Sequence, residues 1–156
     1  MKKPIKKVLF VCTGNSCRSP MAEGYFNFLS ATGKTGVNSE SAGVFAIDGF
    51  PPSAEAVKVM EEKGIDISSH KTRRLSQKII DLSDIVIVMS DSHKREIERK
   101  FKTGGKGVKL LKEFDESDNI NSMDIRDPIG MPVNVYRACF GEMKPLIENL
   151  LGDICG

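Results

Sequence analysis

The sequence predicts an α/β protein, a three-layer sandwich in which a four-stranded parallel sheet is flanked by helices. Short apolar runs bounded by lysines and turn residues alternate along the chain with longer segments whose apolar residues recur every three or four positions. Val8 to Val11 and "DIVIVMS" are apolar throughout, as strands covered on both faces by helices are. A length of 156 residues suits one domain, residues 1–156, with a real core.

The elements follow in order. Val8 to Val11 reads as a buried first strand. Ser19-Pro20 then opens a helix, serine as N-cap and proline at the first helical position, where its missing N–H costs nothing. That helix runs to about Thr32 and stops at Gly33. "VNSESAGV" is the second strand, and "SAEAVKVMEEKG" is a helix closed by Gly64. "RLSQKIIDL" is a short helix, "DIVIVMS" a fully apolar strand, "DSHKREIERKF" a helix and "KGVKLL" the fourth strand. The last helix starts near Val133. Tyr136, Cys139, Phe140, Met143, Leu146, Ile147 and Leu150 mark its apolar face.

The totals exclude several classes. A net charge of +2 does not indicate nucleic acid, and Lys2, Lys3, Lys6 and Lys7 around the first strand read as a solvated cluster. Apolar runs stop at about five residues, against the roughly twenty that a membrane span needs. "MKKPIKKVLFVC" has too short an apolar stretch for a signal peptide, and a cysteine and a Gly-Asn turn follow at once. A cytoplasmic protein without nucleic-acid or membrane partners is expected, with Cys12, Cys17, Cys139 and Cys155 reduced. No CxxC pair occurs and there are two histidines, which argues against a zinc site; neither metal nor cofactor is expected. Cys139 belongs to the core of the last helix, and Cys155 to a fraying tail.

The chemistry concentrates in Cys12-Thr13-Gly14-Asn15-Ser16-Cys17-Arg18, between the first strand and the first helix, with Cys12 one residue past the strand. In parallel sheets ligands bind at the carboxyl ends of strands. Gly14 and Asn15 tolerate positive φ, and such turns curl successive N–H groups into an anion-binding nest. The helix N-terminus adds partial positive charge. Arg18 can grip a tetrahedral oxyanion through two N–H groups. The same surroundings stabilise a thiolate on Cys12, and Ser19 offers the sulfur a hydroxyl. A thiolate under a bound phosphoryl group is a nucleophile aimed at phosphorus. Gly104-Gly105-Lys106-Gly107 lacks the first glycine and the hydroxyl residue of a nucleotide-binding loop and reads as a turn.

Cleavage also needs an acid for the leaving group. Asp127-Pro128 in "DIRDPIGMP" is a rigid pair that overhangs the same sheet edge. Asp124 is the rival, ranked lower because nothing in the sequence fixes its geometry.

"VCTGNSCRSPMAE" with a late "DP", "SAGV" after the second strand, "GIDISSH" and the final helix together resemble the low-molecular-weight protein tyrosine phosphatase family over nearly the whole chain. The resemblance implies a metal-free mechanism in two steps. Cys12 takes the phosphoryl group, Arg18 and the loop amides hold its oxygens, and Asp127 protonates the leaving group and then activates water. It implies that Asn15 holds the loop's shape and that His70 in "SSHKT" buttresses it. Tyrosine-directed members usually carry an aliphatic residue at the Ser16 position and aromatics after Asp-Pro, where this chain has Ile129-Gly130. Ser16, together with Phe45 in "SAGVF", is similar to the family's protein arginine phosphatase branch, which typically has threonine at the Ser16 position. The expected partner is a phosphorylated protein, the product inorganic phosphate and the enzyme a monomer. Cys17 is placed to resolve an oxidised Cys12 as a disulfide. "CTGNSCRS" also resembles thioredoxin-coupled arsenate reductases, which need two further cysteines after the third strand; "MSDSHKREIERKF" has none there. A phosphocysteine carrier domain is a third reading, but it has no need of Arg18 or Asp127.

Overall fold

The computed structural model describes residues 3–117 and 122–156. Lys2 of the lysine cluster lies outside the described residues. Four strands form one parallel sheet, β1 (Lys7–Cys12), β2 (Asn38–Gly43), β3 (Ile85–Val88) and β4 (Val108–Leu110), in the order β2-β1-β3-β4. Among the described residues five α-helices, α1 (Arg18–Thr32), α2 (Ala54–Glu61), α3 (Gln77–Asp81), α4 (Asp91–Lys100) and α5 (Val133–Cys155), and a short 3-10 turn at Leu111–Phe114 complete it. No helix among the described residues is long and apolar enough to cross a membrane.

The pleat divides the core. Val8, Phe10 and Cys12 of β1 and Ile85 and Ile87 of β3 face one side, with Met21 and Phe26 of α1 and Tyr136, Phe140 and Met143 of α5. Leu9, Val11, Val86 and Val88 face the other, with Ile80 of α3 and Ile97 of α4. Alternate residues thus point into two different cores, which is why these strands are apolar throughout. The whole apolar face expected of α5, from Tyr136 to Leu150, is buried. Lysine stems and Asp84 frame the start of β1: Asp84 accepts from the N–H groups of Lys6 and Lys7 at 2.8 and 2.9 Å.

Several local expectations are corrected. Cys12 is the last residue of β1, paired with Gly43, rather than one residue past it. α1 begins at Arg18 with Cys17 at the N-cap, so Ser19 does not cap it and Pro20 is its third residue. The first helical N–H groups have no intrahelical partner in any case, so proline is tolerated there. Cys155 is the final residue of α5, exposed, rather than part of a tail beyond the helix. The Gly104-Gly105 turn is as read, with φ of +59° and +82°.

The chain reverses direction across the sheet at β1, whose neighbours are β2 and β3. The loop leaving β1 therefore emerges into the crevice between divergent connections, where such sheets bind ligands. Gly43, at the end of β2, lets that loop approach. A Cβ there would sit 2.5 Å from the Thr13 carbonyl oxygen and 2.9 Å from the Asn15 nitrogen. Gly43→Ala therefore forces backbone against backbone and is expected to cost about 1–3 kcal/mol in urea unfolding, with loss of activity beyond what the lost stability explains. Unchanged stability and activity would show that the loop has room to retreat.

Candidate active site

The loop from Cys12 to Arg18 turns its carbonyls outward. The carbonyl of Cys12 accepts from Val44 N at 3.0 Å, Thr13 from Phe45 N at 3.0 Å, Ser16 from Ser53 N at 2.9 Å and Cys17 from Met21 N at 3.2 Å. That of Asn15 accepts from His70 Nε2 at 2.9 Å. Among the described residues, no protein acceptor takes the N–H groups of Gly14, Asn15, Ser16 or Cys17, the arrangement of an anion nest. α1 follows without a side-chain cap and with no acid in its first turn, so its positive end is free to join them.

Asn15 is fully buried with φ +57°. Gly14 is not in the left-handed region, so one residue rather than two makes the turn. The Asn15 side chain is locked on both ends. Its Oδ1 accepts from Arg73 N at 2.9 Å, and its Nδ2 donates to Ser19 Oγ and Ser41 Oγ, each at 2.9 Å. Arg73 N can only donate, which fixes the amide orientation. Ser41 passes the chain on to Glu23 Oε1 at 2.6 Å, and burial pushes the Glu23 carboxyl above its ordinary range. Ser19 Oγ, which accepts from Asn15, lies 2.9 Å from Cys12 Sγ and has its own proton to give to a thiolate there. This is the hydroxyl-to-sulfur contact expected from the sequence.

Arg18 is 4% exposed. Its Nη1 donates to the Ile125 carbonyl at 2.9 Å, and its Nη2 to Thr13 Oγ1 at 3.3 Å. Asp127 Oδ2 lies 3.4 Å from Nη2. Nε has no protein partner and is the one such buried side-chain atom among the described residues. A buried unpaired donor costs roughly 1–3 kcal/mol. Cys12, Thr13, Gly14, Ser16, Cys17, Arg18, Asp127 and Ile129 line that pocket, about 190 Å³ in volume.

The segment leading to Asp127 is held at three points. Asp124 Oδ1 accepts from Asp91 N at the start of α4 at 2.8 Å. Ile125 N donates to Met89 O at 2.7 Å. Cys139 Sγ donates to the Arg126 carbonyl at 3.7 Å. Asp124 is thus fixed after all, but as the partner of a helix N-terminus and outside the pocket. Asp127 is half-exposed, its Oδ1 accepting from Ile129 N at 3.1 Å and its Oδ2 facing Arg18. Cys139 is more than core filler, and burial pushes its thiol up to about 12. Phe45 does not line the pocket. Its N–H is tied to Thr13, and its ring is exposed with Lys100 Nζ 5.6 Å from the centroid. The Cys17 thiol faces Tyr136 Oη at 3.3 Å and Ser53 Oγ at 3.6 Å.

Two residues at the site were not singled out from the sequence. Gly43 stood inside the quoted "SAGV" without a role. His93, in "DSHKREIERKF", gave no signal because it belongs to an amphipathic helix. The structure places its Nε2 2.9 Å from Thr13 Oγ1 and its Nδ1 3.0 Å from Ser90 Oγ.

The family model for "Low molecular weight phosphotyrosine protein phosphatase" matches residues 7–155. A protein-arginine-phosphatase from Geobacillus stearothermophilus is 40% identical, over 92% of this chain and 93% of that protein. Arsenate reductase 2 from Staphylococcus epidermidis is 42% identical, over 92% of this chain and 95% of that protein. The solved structure of a low molecular weight protein tyrosine phosphatase from T. tengcongensis has a TM-score of 0.87 at 42% identity, covering 95% of this chain and 99% of that one. A YwlE arginine phosphatase, a Cys-to-Ser variant with a phosphorylated active-site serine, has a TM-score of 0.84 at 32% identity, covering 94% of each chain. Fold and matches define a cysteine-dependent protein phosphatase. The chain belongs to the low-molecular-weight phosphotyrosine protein phosphatase family.

His93 supplies a pH prediction. Burial, and next the Arg18 charge, lower its pKa from 6.5 to about 4 against the opposing pull of Asp124 and Asp127. Between those values the unfolded chain binds a proton that the native one refuses, so stability falls as pH falls from 6.5 toward 4. Urea unfolding is expected to show about 3 kcal/mol of acid-side loss in the wild type that is absent in His93→Gln. Parallel pH profiles for the two proteins would contradict this.

Proposed function

We propose that this chain hydrolyses phosphorylated protein side chains at the pocket lined by Cys12, Arg18 and Asp127, with phosphoarginine preferred over phosphotyrosine. The observation that carries the reading is the convergence of a sulfur, a guanidinium with a free Nε and a solvent-facing carboxyl on one small pocket. The loop N–H groups and Arg18 bind the phosphoryl oxygens and stabilise them further as charge shifts in the transition state. The Cys12 sulfur attacks phosphorus as the bond to the leaving atom breaks, and Asp127 gives that atom its proton. The Asp127 carboxylate then takes a proton from water as it attacks the cysteinyl-phosphate, which releases inorganic phosphate and the Cys12 thiolate. The phosphoserine carried by the YwlE variant supports a covalent phosphoenzyme on this fold. The reading includes a cytoplasmic monomer acting as one unit over residues 1–156.

Ser16 carries the substrate preference. At the pocket edge, 3.5 Å from Cys17 Sγ, it leaves room and a hydroxyl for a planar guanidinium. Asp127 in its protonated form gives the departing nitrogen its proton, and the carboxylate left behind pairs with the guanidinium of the released arginine side chain. Ile129, 61% exposed on the rim, offers no aromatic wall for a phenyl ring. The arginine-directed relative points the same way.

Arsenate reduction is the second reading, kept because of the reductase relative. A relay of disulfides needs reactive thiols beyond the loop. Cys139 does lie near the site, contrary to its distance in sequence, but its high pKa makes it a poor nucleophile. Arsenate-dependent thioredoxin oxidation faster than phosphopeptide turnover would overturn the phosphatase reading. Oxidation of Cys12 by peroxide to the sulfenic acid, with condensation onto Cys17 and loss of water, remains part of the proposal.

Asp127→Asn is expected to slow a poorly acidic leaving group by about 10² or more and an activated aryl phosphate much less in the first step. A uniform loss across leaving groups would assign Asp127 to positioning. Ser16→Ile is expected to shift the ratio of kcat/KM toward phosphotyrosine peptides and away from phosphoarginine peptides by about tenfold, roughly 1.4 kcal/mol. A wild type that prefers phosphotyrosine, with a ratio that Ser16→Ile does not move, would make this a tyrosine phosphatase.

A further inference from the structure

His93 is 3% exposed at the first turn of α4, and the reaction as described above leaves it without a task. Its hydrogen bonds lead back to Arg18. A guanidinium only donates, so Thr13 Oγ1 accepts from Arg18 Nη2 at 3.3 Å. The Thr13 hydroxyl keeps its own proton to give, and His93 Nε2 lies within reach at 2.9 Å. In the tautomer that accepts it, Nε2 carries the lone pair and the ring proton sits on Nδ1, facing Ser90 Oγ at 3.0 Å, with Ser92 Oγ 2.8 Å further on. The chain Arg18, Thr13, His93, Ser90, Ser92 is continuous, and it works with a neutral imidazole.

We propose that His93 is a positioning residue for oxyanion binding: by holding the Thr13 hydroxyl it sets the angle of the Arg18 guanidinium. This rests on the reading of Arg18 as the oxyanion clamp. The clamp has three protein acceptors. The Ile125 carbonyl holds Nη1, while Thr13 and Asp127 share Nη2. Asp127 loses its charge whenever it carries the proton for the leaving group, and its pull on Arg18 then disappears. The Thr13–His93 anchor does not titrate with that proton. It keeps the guanidinium aimed at the phosphoryl oxygens through both steps, whichever state Asp127 is in. Ionisation at Nε2 would turn the Thr13 hydroxyl proton toward Arg18 and break the anchor, and the charges around the ring are Arg18, Asp124 and Asp127.

The test compares His93→Leu, which cannot accept a hydrogen bond, with His93→Gln, whose amide oxygen can take the place of Nε2. Competitive inhibition by inorganic phosphate and kcat/KM are measured on the full chain, with urea unfolding as the check on folding. His93→Leu is expected to weaken phosphate inhibition and to lower kcat/KM by about tenfold each. His93→Gln is expected to recover most of both. Adding Thr13→Val to His93→Leu is expected to cost little more, because the two residues act through one bond. Wild-type phosphate inhibition in folded His93→Leu, or equal losses in the Leu and Gln variants, would overturn the proposal. If His93→Leu does not fold, Thr13→Val alone carries the test: the same loss is expected, and undiminished phosphate inhibition refutes the anchor. Arg18→Ala separates the two levels. If phosphate inhibition survives in it, the clamp reading itself fails; if it is lost there but intact in the His93 and Thr13 variants, only the positioning role fails.

Discussion

The carbonyls of Cys12, Thr13, Asn15, Ser16 and Cys17 all point away from the pocket, and much of the surrounding structure serves to keep them there. Turning a row of N–H groups toward one point gathers like partial charges, and water or a neighbouring acceptor would otherwise draw the loop apart. The opposing forces come from elements remote in sequence: the strand exit at Val44 and Phe45, the start of α2 at Ser53, and His70 before α3. Asn15 takes the left-handed conformation, and its three side-chain hydrogen bonds hold it there. Gly43 supplies the missing Cβ that lets the backbones close up.

Arg18 joins this loop to the segment that carries the acid. One guanidinium nitrogen reads the Ile125 carbonyl, and the other reads Thr13 and Asp127. The acid segment is pinned just upstream of Asp127, by Asp124 on the α4 N-terminus and by Cys139 on the Arg126 carbonyl. The carboxyl itself stays open to solvent. Its two oxygens meet Ile129 N and Arg18, so the group is held at the pocket while one side faces water.

The fold was legible because its signals are local. β1 and β3, buried on both faces, are continuous apolar runs, and α5 shows a complete apolar face at helical spacing. The loop was legible because the strand-end cysteine, the Gly-Asn turn and the arginine are contiguous in sequence. Contacts supplied from far along the chain were not. Ser19 before Pro20 has the look of a helix cap, yet its hydroxyl is claimed by Asn15 and Cys12. Phe45 lies next to the loop in sequence pattern, but its backbone rather than its ring makes the contact. Asp124 and Cys139 gained their partners only when α4 and α5 packed against the acid segment. His93 sits on a helix whose polar residues mostly face water, and its partner lies 80 residues away.

The account stands on a covalent bond between the Cys12 sulfur and phosphorus. The most direct measurement is acid quenching during turnover of a phosphoarginine peptide, followed by mass spectrometry of the peptide containing Cys12. Asp127→Asn should be used alongside the wild type with an activated aryl phosphate, which forms the intermediate without the acid, so that slowing the attack of water lets it accumulate. A single phosphoryl adduct on Cys12, formed within one turnover and discharged on further incubation, is the predicted result. Turnover at full rate with no adduct on Cys12, or an adduct on another residue, would contradict it.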